Sequence, residues 1–133
     1  MIVTDVFRKI KNVYMLRLIR SFSFALNGLK ICVLKGANFK IHLFCTVLAV
    51  MMGLYFHLAV NDWLILLLCI GFVLCMEMLN TAIEKLCDIV HKEYHPGIKI
   101  TKDIAAAAVM VSAFVAAICG AFIFLPRIFS LVN

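Results

Sequence analysis

The chain has 133 residues, of which 65% are hydrophobic, a net charge of +6 and a mean hydropathy of +1.09. A soluble domain of this length needs more polar surface than that, so the composition excludes one and defines an integral membrane protein. The basic excess comes with no aromatic-basic stacking platform or recognition motif, which argues against nucleic acid as a partner and for an anionic leaflet.

From the amino terminus, residues 6–34 read as an amphipathic helix, or a pair of helices, lying in the membrane interface. Phe7, Ile10, Val13, Tyr14, Phe22, Leu26 and Leu29 form its apolar faces, with bases between them. Arg8, Lys9, Lys11, Arg17, Arg20 and Lys30 interrupt any continuous apolar stretch, so the segment does not resemble a cleavable signal and is expected to stay on the protein. Ser21, Ala25 and Gly28 make a small-residue stripe with Arg17 one turn upstream, which suits close approach of another backbone or a ligand. Gly36-Ala37 then breaks the helical pattern, and Asn38-Phe-Lys-Ile-His42 leads into the first span.

Three stretches approach the ~20 apolar residues that ~30 Å of hydrocarbon requires, and they predict transmembrane helices over about 43–60, 63–83 and 104–125. Three segments without strict alternation cannot close a barrel, so only helices fit. The expected fold is an all-α integral membrane protein, three transmembrane helices plus the N-terminal amphipathic interfacial helix, in a single domain over 1–133. Residues 1–42 hold eight of the thirteen Lys and Arg, the Asn61-Asp62 turn none, the 84–103 loop four and the tail only Arg127. The positive-inside rule then puts the amino terminus and the 84–103 loop in the cytoplasm of a multi-pass protein, with the carboxyl terminus outside.

The loop from His91 to Gly97 is polar and turn-forming, and Thr101-Lys102-Asp103 opens the third span ahead of the small residues Ala105 to Ala108. Cys32, Cys45, Cys69, Cys75, Cys87 and Cys119 show no CxxC spacing and lie mostly in apolar runs, so they read as small core residues rather than zinc ligands.

Glu77 sits inside the apolar run from Trp63 to Leu79. An ionisable group there costs roughly 2.5 to 3.5 kcal/mol on insertion scales, so it marks a functional site by default. At about 100° per residue, Glu77, Asn80, Thr81, Glu84 and Asp88 share one helical face, which carries three carboxylates, an amide and a hydroxyl. The plain structural alternative is a polar seam between packed helices.

At this point four strings, Arg20-Ser-Phe-Ser-Phe-Ala-Leu-Asn-Gly28, Asn38-Phe-Lys-Ile-His42, Glu77-Met-Leu-Asn-Thr-Ala-Ile-Glu84 and Lys102-Asp-Ile-Ala-Ala106, together resemble the small three-span prokaryotic lipid kinases, the diacylglycerol kinase and undecaprenol kinase family. They come in the family's order and spacing over about residues 17 to 125. The resemblance implies a homotrimer in the bacterial cytoplasmic (inner) membrane. Its composite sites would use ATP and Mg²⁺ to phosphorylate a lipid alcohol at the cytoplasmic surface, and the Asn-Phe-Lys-Ile-His string leans toward undecaprenol. It further implies that Glu77 is the catalytic base, that Glu84 is a metal-ligating carboxylate, and that Asn80 lies between them in the site. Arg17 would contact both nucleotide and lipid, Ser21 would lie on the lipid side, and Glu93, Tyr94, His95, Lys102 and Asp103 would surround the nucleotide. One position departs from the pattern: where the family carries a second metal-ligating glutamate, two residues before Asn38, this chain has Gly36, and no carboxylate occurs between Asp5 and Asp62.

These residue types suit phosphoryl transfer, whose loose, charge-rich transition state calls for positioning, metal and positive charge rather than covalent machinery. Glu77 in poor solvent suits a proton acceptor, and Glu84, two turns nearer water, can stay ionised and hold Mg²⁺. Arg17 and Lys102 can neutralise phosphate oxygens, although bases at a membrane edge also serve as interfacial anchors, and Asp103 equally suits the N-terminal dipole of the third span. No Walker-type loop and no HRD or DFG string is present, which excludes soluble-kinase folds. Two other classes stay open on the residues alone: a small proton-coupled transporter built on the membrane glutamate, and a catalytically impaired assembly or regulatory subunit, to which Gly36 points.

Overall fold

A computed structural model describes the backbone of residues 2–91 and 93–132 and the side chains of 14–91 and 93–131. It consists of four helices, α1 (Ile2–Lys35), α2 (Ala37–Tyr55), α3 (Val60–Val90) and α4 (Pro96–Val132), with no strand among the described residues. The chain divides into two compact units, one formed by α1 and the other by everything from Gly36 onward.

α1 is one uninterrupted helix of 34 residues, where the sequence allows either one helix or two. It contains no proline, and its single internal glycine, Gly28, costs only about 1 kcal/mol in a helix interior. Its residues from Tyr14 to Asn27 are all exposed.

In the second unit, α2, α3 and α4 run alternately up and down, α3 packing against both α2 and α4. All three are long and apolar enough to cross a membrane. Each begins or ends away from its apolar run, because polar residues complete helical turns that hydropathy does not count. α2 starts at Ala37, with Gly36 extended before it (φ −82°, ψ 107°), so Asn38, Lys40 and His42 belong to its first turns. It ends at Tyr55 rather than near residue 60: the Leu58 N–H donates to Gly53 O (3.1 Å), and the His57 N–H donates to Leu54 O (3.2 Å). This is a Schellman cap, with His57 at a left-handed φ of 47° where glycine is usual. The outer turn expected at Asn61-Asp62 therefore falls on Phe56 to Ala59, and Asp62 instead lies in the first turn of α3, where a carboxylate suits the helix dipole. α3 continues past residue 83 to Val90, and α4 starts at Pro96, a favourable first helical residue, well before residue 104.

One end of this unit is fastened by a buried cluster of Leu58, Leu66, Ile123 and Phe124, against which Met52, Phe56 and Trp63 pack. The Trp63 ring lies over Gly53, so close that a β-carbon there would stand 2.8 Å from Cη2. Beside it, Arg127 pairs with Asp62 at 2.5 Å across α3 and α4. Large apolar side chains face outward along the helices, as at Leu68, Phe114 and Phe122, and this surface suits hydrocarbon rather than water. Counted from Asp62, ~30 Å of hydrocarbon spans about 20 helical residues, to near Ile83. Glu77 then lies inside that zone, and Glu84 and Asp88 beyond its edge.

Candidate active site

The opposite end, where α3 finishes and α4 begins, gathers the polar residues. Glu77 and Asn80 are each only 3% exposed, although both are polar. Glu77 Oε2 and Asn80 Oδ1 are buried without a hydrogen-bond partner. Buried polar atoms are nearly always paired, so two unpaired oxygens three residues apart on one helix set this face of α3 apart from the rest of the bundle. The other end of the Asn80 amide is committed: Nδ2 donates to Glu84 Oε1 at 3.1 Å, which fixes one oxygen of a half-buried carboxylate.

Lys102, half-buried at the start of α4, crosses to α3 and donates to Asp88 Oδ1 at 2.5 Å. Asp103 is exposed and accepts from Lys99 at 3.0 Å, one turn back on its own helix. Of the loop residues, Glu93, Tyr94 and His95 are exposed. His95 is nonetheless oriented, since its Nδ1 accepts the Gly97 N–H at 3.1 Å and its ring meets His91 edge-on at 5.5 Å between centroids. Arg17 and Ser21 are exposed on α1, one turn apart. Asn80, Glu84, Asp88 and Lys102 thus lie toward one end of the α3–α4 hairpin, with Glu77 one turn deeper in α3 than Asn80, and the 93–95 loop joins those helices.

Between the two helices, Leu79, Asn80 and Ile83 of α3 face Thr101, Ala105 and Ala108 of α4 across an open groove of about 310 Å³. The alanines that suggest close helix contact do bury Ala105, and they also leave this space, with Asn80 in its wall. Sequence reasoning singles out neither the groove nor the role of Asp88. Asp88 is visible there only as the last acidic residue on the Glu77 face, and its lysine partner lies across a loop in another helix.

Three membrane-length apolar helices with carboxylates, an amide and a lysine collected at one end define a polytopic membrane protein with a polar site at the edge of its hydrocarbon zone. A family model described as prokaryotic diacylglycerol kinase matches residues 23–124. The chain is similar to an undecaprenol kinase of Bacillus subtilis, 36% identical over 112 residues, covering 84% of this chain and 91% of the relative. It is also similar to a diacylglycerol kinase of Synechocystis, 36% identical over 115 residues (86% of this chain, 66% of the relative), and to one of Escherichia coli, 28% identical over 102 residues (77% and 84%). The chain belongs to the prokaryotic diacylglycerol kinase family and is a lipid kinase of a bacterial membrane, with ATP as the phosphate donor that a kinase family implies.

Proposed function

We propose that this chain transfers the γ-phosphoryl group of ATP to the hydroxyl of a membrane lipid alcohol, undecaprenol ahead of diacylglycerol, with Glu77 as general base. The observation that carries this reading is Glu77 itself, 3% exposed within an apolar span, with one carboxylate oxygen lacking any partner. A lipid hydroxyl is a donor that arrives from the bilayer at that depth. It would donate to Glu77 and lose its proton there as its oxygen bonds to the γ-phosphorus and the bond from that phosphorus to the β,γ-bridging oxygen breaks, releasing ADP. The Glu77 carboxyl group would then give the proton up to water.

The donor set also fits Mg²⁺. Among the described residues no cluster of three His, Cys, Asp or Glu is assembled for a metal. Mg²⁺ needs no such cage, since it keeps several waters and takes one or two carboxylates together with substrate phosphates. Glu84, its Oε1 steadied by Asn80, would hold the ion, and hard oxygens are the ligands Mg²⁺ prefers. When bound, the ion would supply charge neutralisation for the transferring phosphate. Lys102 would add a point charge to phosphate oxygens, and by the family resemblance Arg17 would offer phosphate a bidentate fork. Glu93, Tyr94, His95 and Asp103 would complete the nucleotide's surroundings, with Ser21 beside Arg17 on the lipid side. We place α1 in the cytoplasmic interface and the protein in a homotrimer with composite sites, in line with the basic amino-terminal segment and the family resemblance.

Gly36 favours a second reading, a catalytically impaired assembly or regulatory subunit. It sits at the N-cap of α2 without the carboxylate that the family pattern carries there. Purified protein in liposomes, given γ-labelled ATP with either undecaprenol or diacylglycerol, separates the readings. A kinase puts label into the lipid extract only when the alcohol is present, an impaired subunit labels neither lipid, and ATP consumption independent of any lipid alcohol contradicts both.

A further inference from the structure

We propose that Asp88 is a positioning residue for the nucleotide end of the site, drawing the Lys102 ammonium from α4 onto the face of α3 that carries Glu84; this rests on the lipid kinase reading above. Three observations carry it. The pair is short, 2.5 Å, and spans fourteen residues of sequence across the loop between two helices, so it is not the incidental i,i+4 contact of one helix surface. Asp88 lies one turn beyond Glu84 on the same side of α3, so a lysine held there stands over the carboxylate assigned to the metal. The two lysines at the start of α4 are also sorted by partner: Lys99 is retained by Asp103 on its own helix, while Lys102 crosses.

The pair contributes orientation rather than stability. Its side chains are 36% and 66% exposed, and ion pairs in such surroundings hold a fold together only weakly. A lysine stem is flexible, however, and a phosphate site gains when that freedom is already restricted before the ligand arrives. An ammonium has three donors, so Lys102 can keep Asp88 on one and give the others to phosphate oxygens. Without Asp88 the same lysine would sample solvent around the start of α4 and would have to be immobilised by the nucleotide itself.

The test uses the full chain in detergent micelles or liposomes, with Asp88→Asn, Asp88→Glu, Lys102→Ala and the double variant Asp88→Asn/Lys102→Ala. Two quantities are read: binding of the non-hydrolysable analogue AMP-PNP with Mg²⁺, and steady-state kinetics toward ATP and lipid. Asp88→Asn should weaken AMP-PNP binding and raise the ATP KM by roughly two- to five-fold, the span available to an exposed ion pair, with kcat and lipid KM little altered. Asp88→Glu should recover most of the loss, and the double variant should bind no worse than Lys102→Ala alone. Equal or tighter binding by Asp88→Asn, a loss confined to lipid KM, or full additivity in the double variant overturns the positioning role. A wild-type chain that binds no AMP-PNP overturns the kinase reading itself and the proposal with it, and so differs from a wild type that binds while Asp88→Asn matches it.

Discussion

Replacing Glu77 by methionine should make the protein more stable and inactive at once. The site is 3% exposed, flanked by apolar span residues, and leaves Glu77 Oε2 without a partner. A buried polar atom left unsatisfied costs about 1 to 3 kcal/mol. Methionine has the same unbranched reach, is a good helix former and adapts to irregular gaps, so its repacking cost should stay below about 1.5 kcal/mol. The balance favours the variant by about 1 kcal/mol, and a change of that size moves a thermal midpoint by roughly 2 to 8 °C in domains near this length. Circular dichroism melts in dodecylmaltoside, wild type against Glu77→Met at matched concentration, read this shift, and lipid phosphorylation on the same preparations should be lost. Such opposition of stability and activity is expected where a group is kept for chemistry rather than for packing. A lowered midpoint would refute the reasoning, because it would show that both Glu77 oxygens are satisfied by contacts that the fold depends on, as a structural seam requires.

Glu84→Ala should raise the magnesium and ATP concentrations needed for half-maximal rate while leaving lipid KM near wild type, since Asn80 would lose its partner and the ion a carboxylate; titrating each component in turn checks this. Gly36→Glu should lower the magnesium midpoint and raise kcat/KM by restoring the carboxylate of the family pattern, and identical midpoints would make Gly36 only a helix-ending glycine. Gly53→Ala should destabilise by about 1 to 3 kcal/mol, because its β-carbon would stand 2.8 Å from the Trp63 ring in the packed end of the bundle, and a thermal melt should show it.

Three spans are legible in the sequence because bilayer thickness imposes a length that hydropathy can count, and the face from Glu77 to Asp88 because helical periodicity needs only one segment. The helix ends are not. His57 closes α2 in a conformation that sequence would assign to a glycine, so the outer turn is expected a few residues late, and the polar first turns of α2 and α4 fall outside the helices that hydropathy outlines. The Asn80–Glu84 hydrogen bond lies within the periodicity and can be anticipated. The Asp88–Lys102 pair cannot, because it depends on how far α3 and α4 overrun their apolar runs before the loop turns the chain. Gly53 gives no signal at all, since its reason is a tryptophan ring from the next helix.

The most direct test of Glu77 as the base is the rate of lipid phosphorylation by Glu77→Gln at saturating ATP, Mg²⁺ and lipid. The amide has the same shape and can still donate or accept a hydrogen bond, but it cannot take the hydroxyl proton. Base catalysis by Glu77 predicts a folded, membrane-inserted protein that binds AMP-PNP like wild type and turns over about 10² to 10⁴ times more slowly. Turnover within a few-fold of wild type would contradict it and move the proton transfer to another group.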